Sequence, residues 1–439
     1  MNNLKTTQFF DTEYVDQASY DNLRKIASIM DGQKNASRKV LYTLLEKNIT
    51  NEVKVSQLSS RCEEFSEYLH GSIAGVLVGM AQSFCGSNNL PLVQESGNFG
   101  TRFVHEASAT RYIFASIHEN TKRLFNKHDT KNLTQKYFEG HPIEYQFYVP
   151  SLPLLLINGS EGVSSGFAQK ILPRNPAEIE KYILNKLDGG KRRPNLIPYY
   201  NGFNGTIEQG DNPKQWLIKG VAKRLSPNRV LISEIPVGYE LKKYIDVLDQ
   251  LEDDKFISSY SDRSDDDVFE FEVKIPSKTL SKLTDDELLQ KLKLITKVTE
   301  NYTCIDEHDK IKVFESPEEI MDQYFDVKQT FMVSRWHTIH DELERLSVLN
   351  KSKYEFIKAI VEDRLVINKR KKSDIVSDLD KMDNIHPIDG KYDYLLNMNI
   401  TSLTYEKMLE IQETLNQTIQ DLETHKSKNS SDLWLEDLK

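Results

Sequence analysis

A tyrosine beside an arginine is the place to look for chemistry in this chain. Tyr112 carries a phenol whose ordinary pKa, about 10, makes it a weak nucleophile near neutrality. It needs a base or a cation close by before it will attack. Arg111 is adjacent, is always charged, and has a fork of donors that matches a phosphate. The pair suits attack on a phosphodiester, although one such neighbour among 20 tyrosines is more often a half-buried aromatic beside a surface charge. His337 and His340, three apart in a helical stretch, could face a metal. The sequence supplies no cysteine or carboxylate set to complete that site, so they read as surface residues. Lys191, Arg192 and Arg193 form a basic cluster suited either to a nucleic-acid backbone or to a charged loop. No phosphate-cradling GxxxxGK[ST] loop occurs.

These residues need elements to hold them. Residues 1–150 read as mostly helical, with apolar residues at helical spacing over 37–46 and 72–84. Turn signals fall at Asp31-Gly32, at 86–89 and at Gly97-Asn98. The run SLPLLLING at 151–159 predicts a buried strand entering a turn. Residues 170–320 read as mixed, with strands over 229–237 and 267–275 and an acidic exposed loop over 260–267. From Met332 the apolar positions Trp336, Ile339, Leu343 and Leu346 advance in steps of four, three, four and three. That is the narrow seam of paired helices. A second seam runs through Met408, Ile411, Leu415, Ile419 and Leu422, and residues 383–399 between the two predict a small globular tip. The expected outcome is an antiparallel arm.

The chain has 439 residues, with 38% hydrophobic and 28% charged content, which suits a folded core. The three cysteines, Cys62, Cys85 and Cys304, lie far apart. They form neither a disulfide framework nor a zinc spacing, which points to a reducing cytoplasm. No apolar stretch is long enough to span a membrane, and the N-terminal sequence predicts no signal peptide. Net charge is −10 but unevenly spread: residues 1–250 sum to +4 and 251–439 to −14. A basic half can meet DNA while an acidic half is screened from it.

Several motifs then occur in one order: YLHG at 68–71, GNFGTR at 97–102, ATRYI at 109–113, LINGSEGV at 156–163 and YNGFNGTI at 200–207. ISEIPV at 232–237, LVINKRK at 365–371, KYDYLL at 391–396 and DLWLED at 432–437 follow. Together they resemble the cleavage core of type IIA DNA topoisomerases, from about residue 20 onward. The likeness is closest to the eukaryotic and T-even bacteriophage branch. It implies an α+β multidomain fold. A winged-helix DNA-binding domain (1–150) would hold the nucleophile, a mixed α/β tower domain would follow (151–320), and a long antiparallel coiled-coil arm with a C-terminal dimer gate would end the chain (321–439).

The resemblance also implies roles. Tyr112 would form a 5′-phosphotyrosyl link, Arg111 would hold the scissile phosphate, and His70 would contact the backbone nearby. Read alone, His70 is a helix-start histidine capped by Gly71. Lys34, Arg38 and Lys39, in the DGQKNASRK motif at 31–39, would grip phosphates, as would Arg102. Their plain reading is a solvated charged face. The family usually has proline where Asn35 stands, so a different local turn is expected. Val163 takes the place of an isoleucine that wedges between base pairs; one methylene shorter, it should be a shallower wedge. The family's acidic metal motifs and its ATP-binding motifs are missing from the sequence. Mg²⁺ and ATP are therefore expected on a partner subunit, with double-stranded DNA and a second copy of this chain as further partners. With no DNA-wrapping domain after the arm, relaxation is expected over supercoiling. The alternative is a DNA-binding scaffold of the same fold that has lost catalysis.

Overall fold

The computed structural model describes residues 6–191 and 195–439. They form two compact units, the first running through Lys328 and the second from Gln329 to Asp437. The sequence-based division at residue 150 falls inside the first unit.

The first unit opens with the helices Thr6–Asp11 and Glu13–Lys25. The helices Asn35–Glu46, Val55–Phe65 and Ala74–Ala81 then pack against one another. Each contributes apolar residues at helical spacing to a shared core: Val40, Leu41 and Leu44, then Leu58 and Cys62, then Leu77. A three-stranded antiparallel sheet packs beside them, in the order Val53–Lys54, Phe114–Ile117, Val93–Ser96. At the entry to the first of these helices the chain turns at Asp31-Gly32. Gly32 has φ +66°, and a Cβ there would lie 2.5 Å from the Leu155 backbone nitrogen. Only glycine allows that turn and that approach together.

The predicted strand at 151–159 is instead a short helix, Leu154–Asn158. Its residues Leu154 to Ile157 are all buried, so the run carries no alternation that could tell a strand from a buried helical turn. Proline at 153 starts the turn and Gly159 at φ +70° ends it.

Beyond it lie two antiparallel sheets. One has the order Val221–Ser226, Arg229–Glu234, Phe271–Lys274, Ser259–Asp262; the other runs Ile295–Thr299, Gln215–Lys219, Thr206–Gln209. The helix Leu241–Asp253 joins the first sheet in one core through Tyr244, Leu248, Ile232, Phe271 and Val273. The alternation read over 267–275 is real: Phe271 and Val273 face inward while Glu272 and Lys274 do not. The acidic stretch 260–267 is only half a loop. Ser259–Asp262 pairs with Phe271–Lys274, and Tyr260 anchors it by donating to Asp249 at 2.5 Å. The turn proper comes at Asp266 and Asp267, both at positive φ.

In the second unit the long helix Pro317–Val361, which continues out of the first unit, lies along Tyr405–Lys426. Trp336 donates its indole N–H to the Lys428 carbonyl (2.7 Å), and Asn350 donates to Thr418 (3.2 Å). Later residues of one helix meet earlier residues of the other, so the pair is antiparallel, as the two seams predict. A small core of Phe356, Ile357, Leu379, Tyr392 and Leu395 forms the tip.

Candidate active site

Tyr112 stands at the end of the connection between strands Val93–Ser96 and Phe114–Ile117. That connection is long but pinned. Ser56 N–H donates to the Thr110 carbonyl (3.2 Å) and Val55 N–H to that of Ile113 (3.0 Å), which fixes the residues on both sides of Tyr112 to the start of a helix. The Gln82 amide donates to the carbonyls of Phe99 (2.8 Å) and His105 (2.9 Å). Gly100 at φ +96° lets the chain fold back, since a Cβ there would sit 2.5 Å from the His105 oxygen. On this rigid base the Tyr112 side chain is 66% exposed. Its hydroxyl has no hydrogen-bond partner among the described residues, and the Arg111 guanidinium lies 4.7 Å from its ring centre. A bare phenol with a cation over its ring is open to a phosphate brought to both groups.

His70 lies between the helices Val55–Phe65 and Ala74–Ala81. The second helix starts four residues later, so His70 is not a helix-start residue. Gly71 at φ +88° turns the chain. The imidazole Nε2 is 2.5 Å from the Tyr20 hydroxyl, and Tyr68 packs edge-on against the ring, with centroids 5.9 Å apart. No contact among the described residues joins His70 to Tyr112.

Val163 ends the first strand of the hairpin Ser160–Val163/Ala168–Ile171 and is 72% exposed. Buried Gln169, opposite Gly162 and one pair from the tip, ties the hairpin down. It accepts from Ala27 N–H (3.0 Å) and donates to the Thr303 carbonyl (2.8 Å). Lys34 reaches the hairpin too, its Nζ donating to the Glu161 carbonyl at 2.5 Å. Burial lowers the Lys34 pKa, and the Glu161 charge opposes that; a bound phosphate would act in the same direction as Glu161.

The model of a family described as the A subunit of DNA gyrase/topoisomerase IV matches residues 24–439. The chain belongs to that family. It is 33% identical to "DNA topoisomerase 2, mitochondrial" of Dictyostelium discoideum over 98% of this chain and 34% of the relative. It is 31% identical to "DNA topoisomerase 2-beta" of Homo sapiens over 99% and 29%. It thus spans about a third of the length of the curated relatives it matches. The crystal structure of the Plasmodium falciparum topoisomerase II DNA-binding, cleavage and re-ligation domain superposes with TM-score 0.88 at 30% identity. That superposition covers 99% of this chain and 64% of the other.

Three expectations drawn from the type IIA resemblance need correction. Arg38 is 5% exposed and grips Asp31 with both arms of its fork, Nε–Oδ2 2.7 Å and Nη2–Oδ1 3.0 Å. Burial works most strongly against its charge, but Asp31, with Glu144 and Asp309, together outweigh it and the pKa rises. Lys39, 6% exposed, is tied to Glu144 at 2.7 Å and to the Ser66 carbonyl. Arg102, 3% exposed, donates to the carbonyls of Tyr239 (2.6 Å), Ile235 (3.0 Å) and Pro236 (3.2 Å). These side chains staple the unit together and are not presented to solvent, because their charge is already matched inside. In the sequence they look like a solvated basic face because Glu144 and the 235–239 carbonyls are more than 100 residues away. Asn35 occupies the first position of its helix, where proline is also accepted, and its amide donates to Glu144 at 3.1 Å.

A salt titration of DNA binding separates the two kinds of cation. Lys34→Ala is expected to flatten the slope of log affinity against log salt by about 0.9, one phosphate contact. Arg102→Ala is expected to weaken binding through the fold and leave the slope unchanged. A slope change for Arg102→Ala would put that residue back on the phosphate.

Arg192 and Arg193 of the basic cluster lie outside the described residues. His340 corrects the reading of the arm histidines. It stacks on Trp336 (5.1 Å, 8° between planes), and Asp341 and Glu344 bring carboxylates to it. This is the one group among the described residues with metal-ligand geometry. It lies on the arm and two of its members are exposed carboxylates, so we assign no ion to it. Sequence reasoning missed Tyr20, Asp21, Asn22 and Glu300. They act through contacts 50 to 144 residues distant in the chain and belong to no motif.

Proposed function

We propose that this chain is the breakage-and-reunion part of an ATP-dependent type IIA DNA topoisomerase, with Tyr112 as nucleophile. The observation that carries this is the exposed, unbonded Tyr112 phenol under the Arg111 guanidinium, on a connection pinned at both sides. The three packed helices and small sheet of the first unit are read as a winged helix, the two sheets beyond as a tower, and the antiparallel arm as the carrier of a dimer gate. The Tyr112 oxygen attacks a backbone phosphorus and the P–O3′ bond breaks. A 5′-phosphotyrosyl ester forms, and the departing 3′ oxygen takes up a proton equal to the one the phenol loses. The reverse transesterification reseals the strand, so phosphodiester energy is conserved. Arg111 orients the phosphate and offsets its developing charge, with His70 and Lys34 as further backbone contacts. Two copies supply two tyrosines, one per strand, so that a second duplex can pass. Mg²⁺ and ATP are placed on a separate partner, the division of labour of a T-even phage enzyme with its own medium subunit, and the assembly acts in the cytoplasm.

The test is to mix the chain with that partner, Mg²⁺ and supercoiled plasmid, and quench with detergent. The DNA-linked peptide is then sequenced after digestion. The reading requires the nucleotide remnant on the peptide containing Tyr112. A remnant on another tyrosine refutes the assignment, and DNA binding with no linked species in any condition favours the scaffold alternative.

A further inference from the structure

The helix Glu13–Lys25 has work that the cleavage reading does not use. Tyr20 hydrogen-bonds His70 Nε2 at 2.5 Å, with the Arg24 guanidinium 5.7 Å from the Tyr20 ring centre. The next two residues hold the tip of the Val163 hairpin. Asp21 Oδ2 accepts from both the backbone N–H and the hydroxyl of Ser165, each at 3.0 Å, and Asn22 Oδ1 accepts from the Ser164 hydroxyl. The Asp21 carboxyl is held below its ordinary pKa, first by Lys25 and then, against the effect of burial, by these serine contacts. One turn on, Lys25 closes against the same hairpin: a Cβ on Gly162 would meet its carbonyl at 2.1 Å.

Successive helix residues are turned about 100° apart, so Tyr20 and Asn22 project roughly 200° from each other. The helix is therefore wedged between the His70 turn on one side and the hairpin tip on the other. A helix is stiff along its length, and its three consecutive residues cannot move independently. Ser164 directly follows Val163, and Ser165 comes next.

We propose that residues 20–22 form a strut that seats the Val163 hairpin and the His70 imidazole together, so that DNA pressing on one sets the other. This rests on the reading of Val163 as a wedge and of His70 as a backbone contact at the cleavage centre. Tyr20 is a positioning residue under this proposal. Its hydroxyl fixes the ring rotation and holds Nε2, which leaves Nδ1 as the nitrogen that can be turned to a phosphate. Asp21 and Asn22 connect the hairpin tip to the helix that carries Tyr20, and Tyr20 connects that helix to His70.

The experiment is a double-mutant cycle on the chain with its metal- and ATP-bearing partner and Mg²⁺, using Tyr20→Phe, Ser165→Ala and the pair. Two quantities are read. One is the bend of an end-labelled 30-bp duplex by energy transfer. The other is the single-turnover rate of covalent-complex formation at saturating DNA, on a duplex pre-bent by an internal bulge. Tyr20→Phe is expected to slow the rate by about 10- to 100-fold, the scale of a misplaced catalytic contact, with bend and DNA affinity unchanged. Ser165→Ala is expected to reduce the bend and to slow the rate even on pre-bent DNA. The double variant should be no slower than the slower single one, because both break one connection. Losses that multiply, or full recovery of Ser165→Ala on pre-bent DNA, overturn the strut. A wild type that forms no covalent complex overturns the nucleophile reading itself, which is a different result.

Discussion

Tyr112→Phe is expected to lower covalent DNA-complex formation by about 10⁵-fold, to below detection in a detergent trap, while DNA affinity stays within about twofold. The first number follows from removing the oxygen that carries the phosphoryl group in the proposed reaction; deleting the nucleophile of a covalent enzyme costs on this order. The second follows from the structure. The phenol oxygen bonds nothing among the described residues, and the ring stays mostly in solvent whether or not the oxygen is there. Loss of the hydroxyl therefore leaves no buried group unsatisfied, and a stability change beyond about 0.5 kcal/mol is not expected at such a position. The measurement is the linked fraction after a quench, set beside fluorescence anisotropy on the same duplex. Equal trapping by both proteins would move the nucleophile elsewhere. Loss of binding with loss of trapping would mean that phenylalanine had disturbed the connection, contrary to its pinning at Thr110 and Ile113.

The largest expected effect on stability lies at Glu300, where no sequence motif points. Its buried carboxylate accepts from Leu172 N–H (2.7 Å), from both Arg174 Nη atoms (2.7 Å each), from the Trp216 indole (2.8 Å) and from the Tyr302 hydroxyl (2.7 Å). Tyr302 in turn is pushed well above the ordinary phenol pKa, by burial first and then by the Glu300 charge. Glu300→Ala would leave Arg174, fully buried, with an uncompensated charge and the indole and phenol without their acceptor. Breaking a buried pair from one side costs about 3–5 kcal/mol. Leu172 directly follows the second strand of the Val163 hairpin. Hydrogen exchange should therefore show faster opening at 169–174, 215–219 and 300–305 together, by about 10²–10⁴-fold on the same scale. Glu300→Gln, which keeps the shape and some acceptors, should fall between. Exchange that rises at 300–305 alone would show that the three segments are not held through this carboxylate.

The contrast between Tyr112 and Glu300 shows what could be read in advance. Tyr112, Arg111 and Val163 sit in short ordered motifs, so local text could single them out, and the fold leaves their side chains exposed. The seams of the arm helices were legible because a long amphipathic pattern has one physical solution. Arg38, Lys39 and Arg102 were misread because sequence shows a charge and not its counter-charge; Asp31 lies seven residues from Arg38, but Glu144 is 105 from Lys39. The run at 154–157 was misread because a fully buried segment has no polar face to give its period. Tyr20 and Asn22 could not be read at all, since a strut is defined by what stands at its two ends.

The arm carries one more consequence. Asn350 and Thr418 meet across the arm, and further along Trp336 stacks with both His340 and His425, each at 5.1 Å, the two imidazoles lying 6.2 Å from each other. The His425 Nε2 also lies 2.9 Å from the Trp336 carbonyl. Sliding one helix past the other by a single turn, about 5.4 Å, would separate both pairs at once and take the asparagine amide from its threonine partner. The two helices are thus keyed in register. They can tilt or curve as a pair but cannot ratchet, so the spacing between the two ends of the arm is a fixed length, and whatever opens or closes at its tip must be carried there by a spoke that does not telescope.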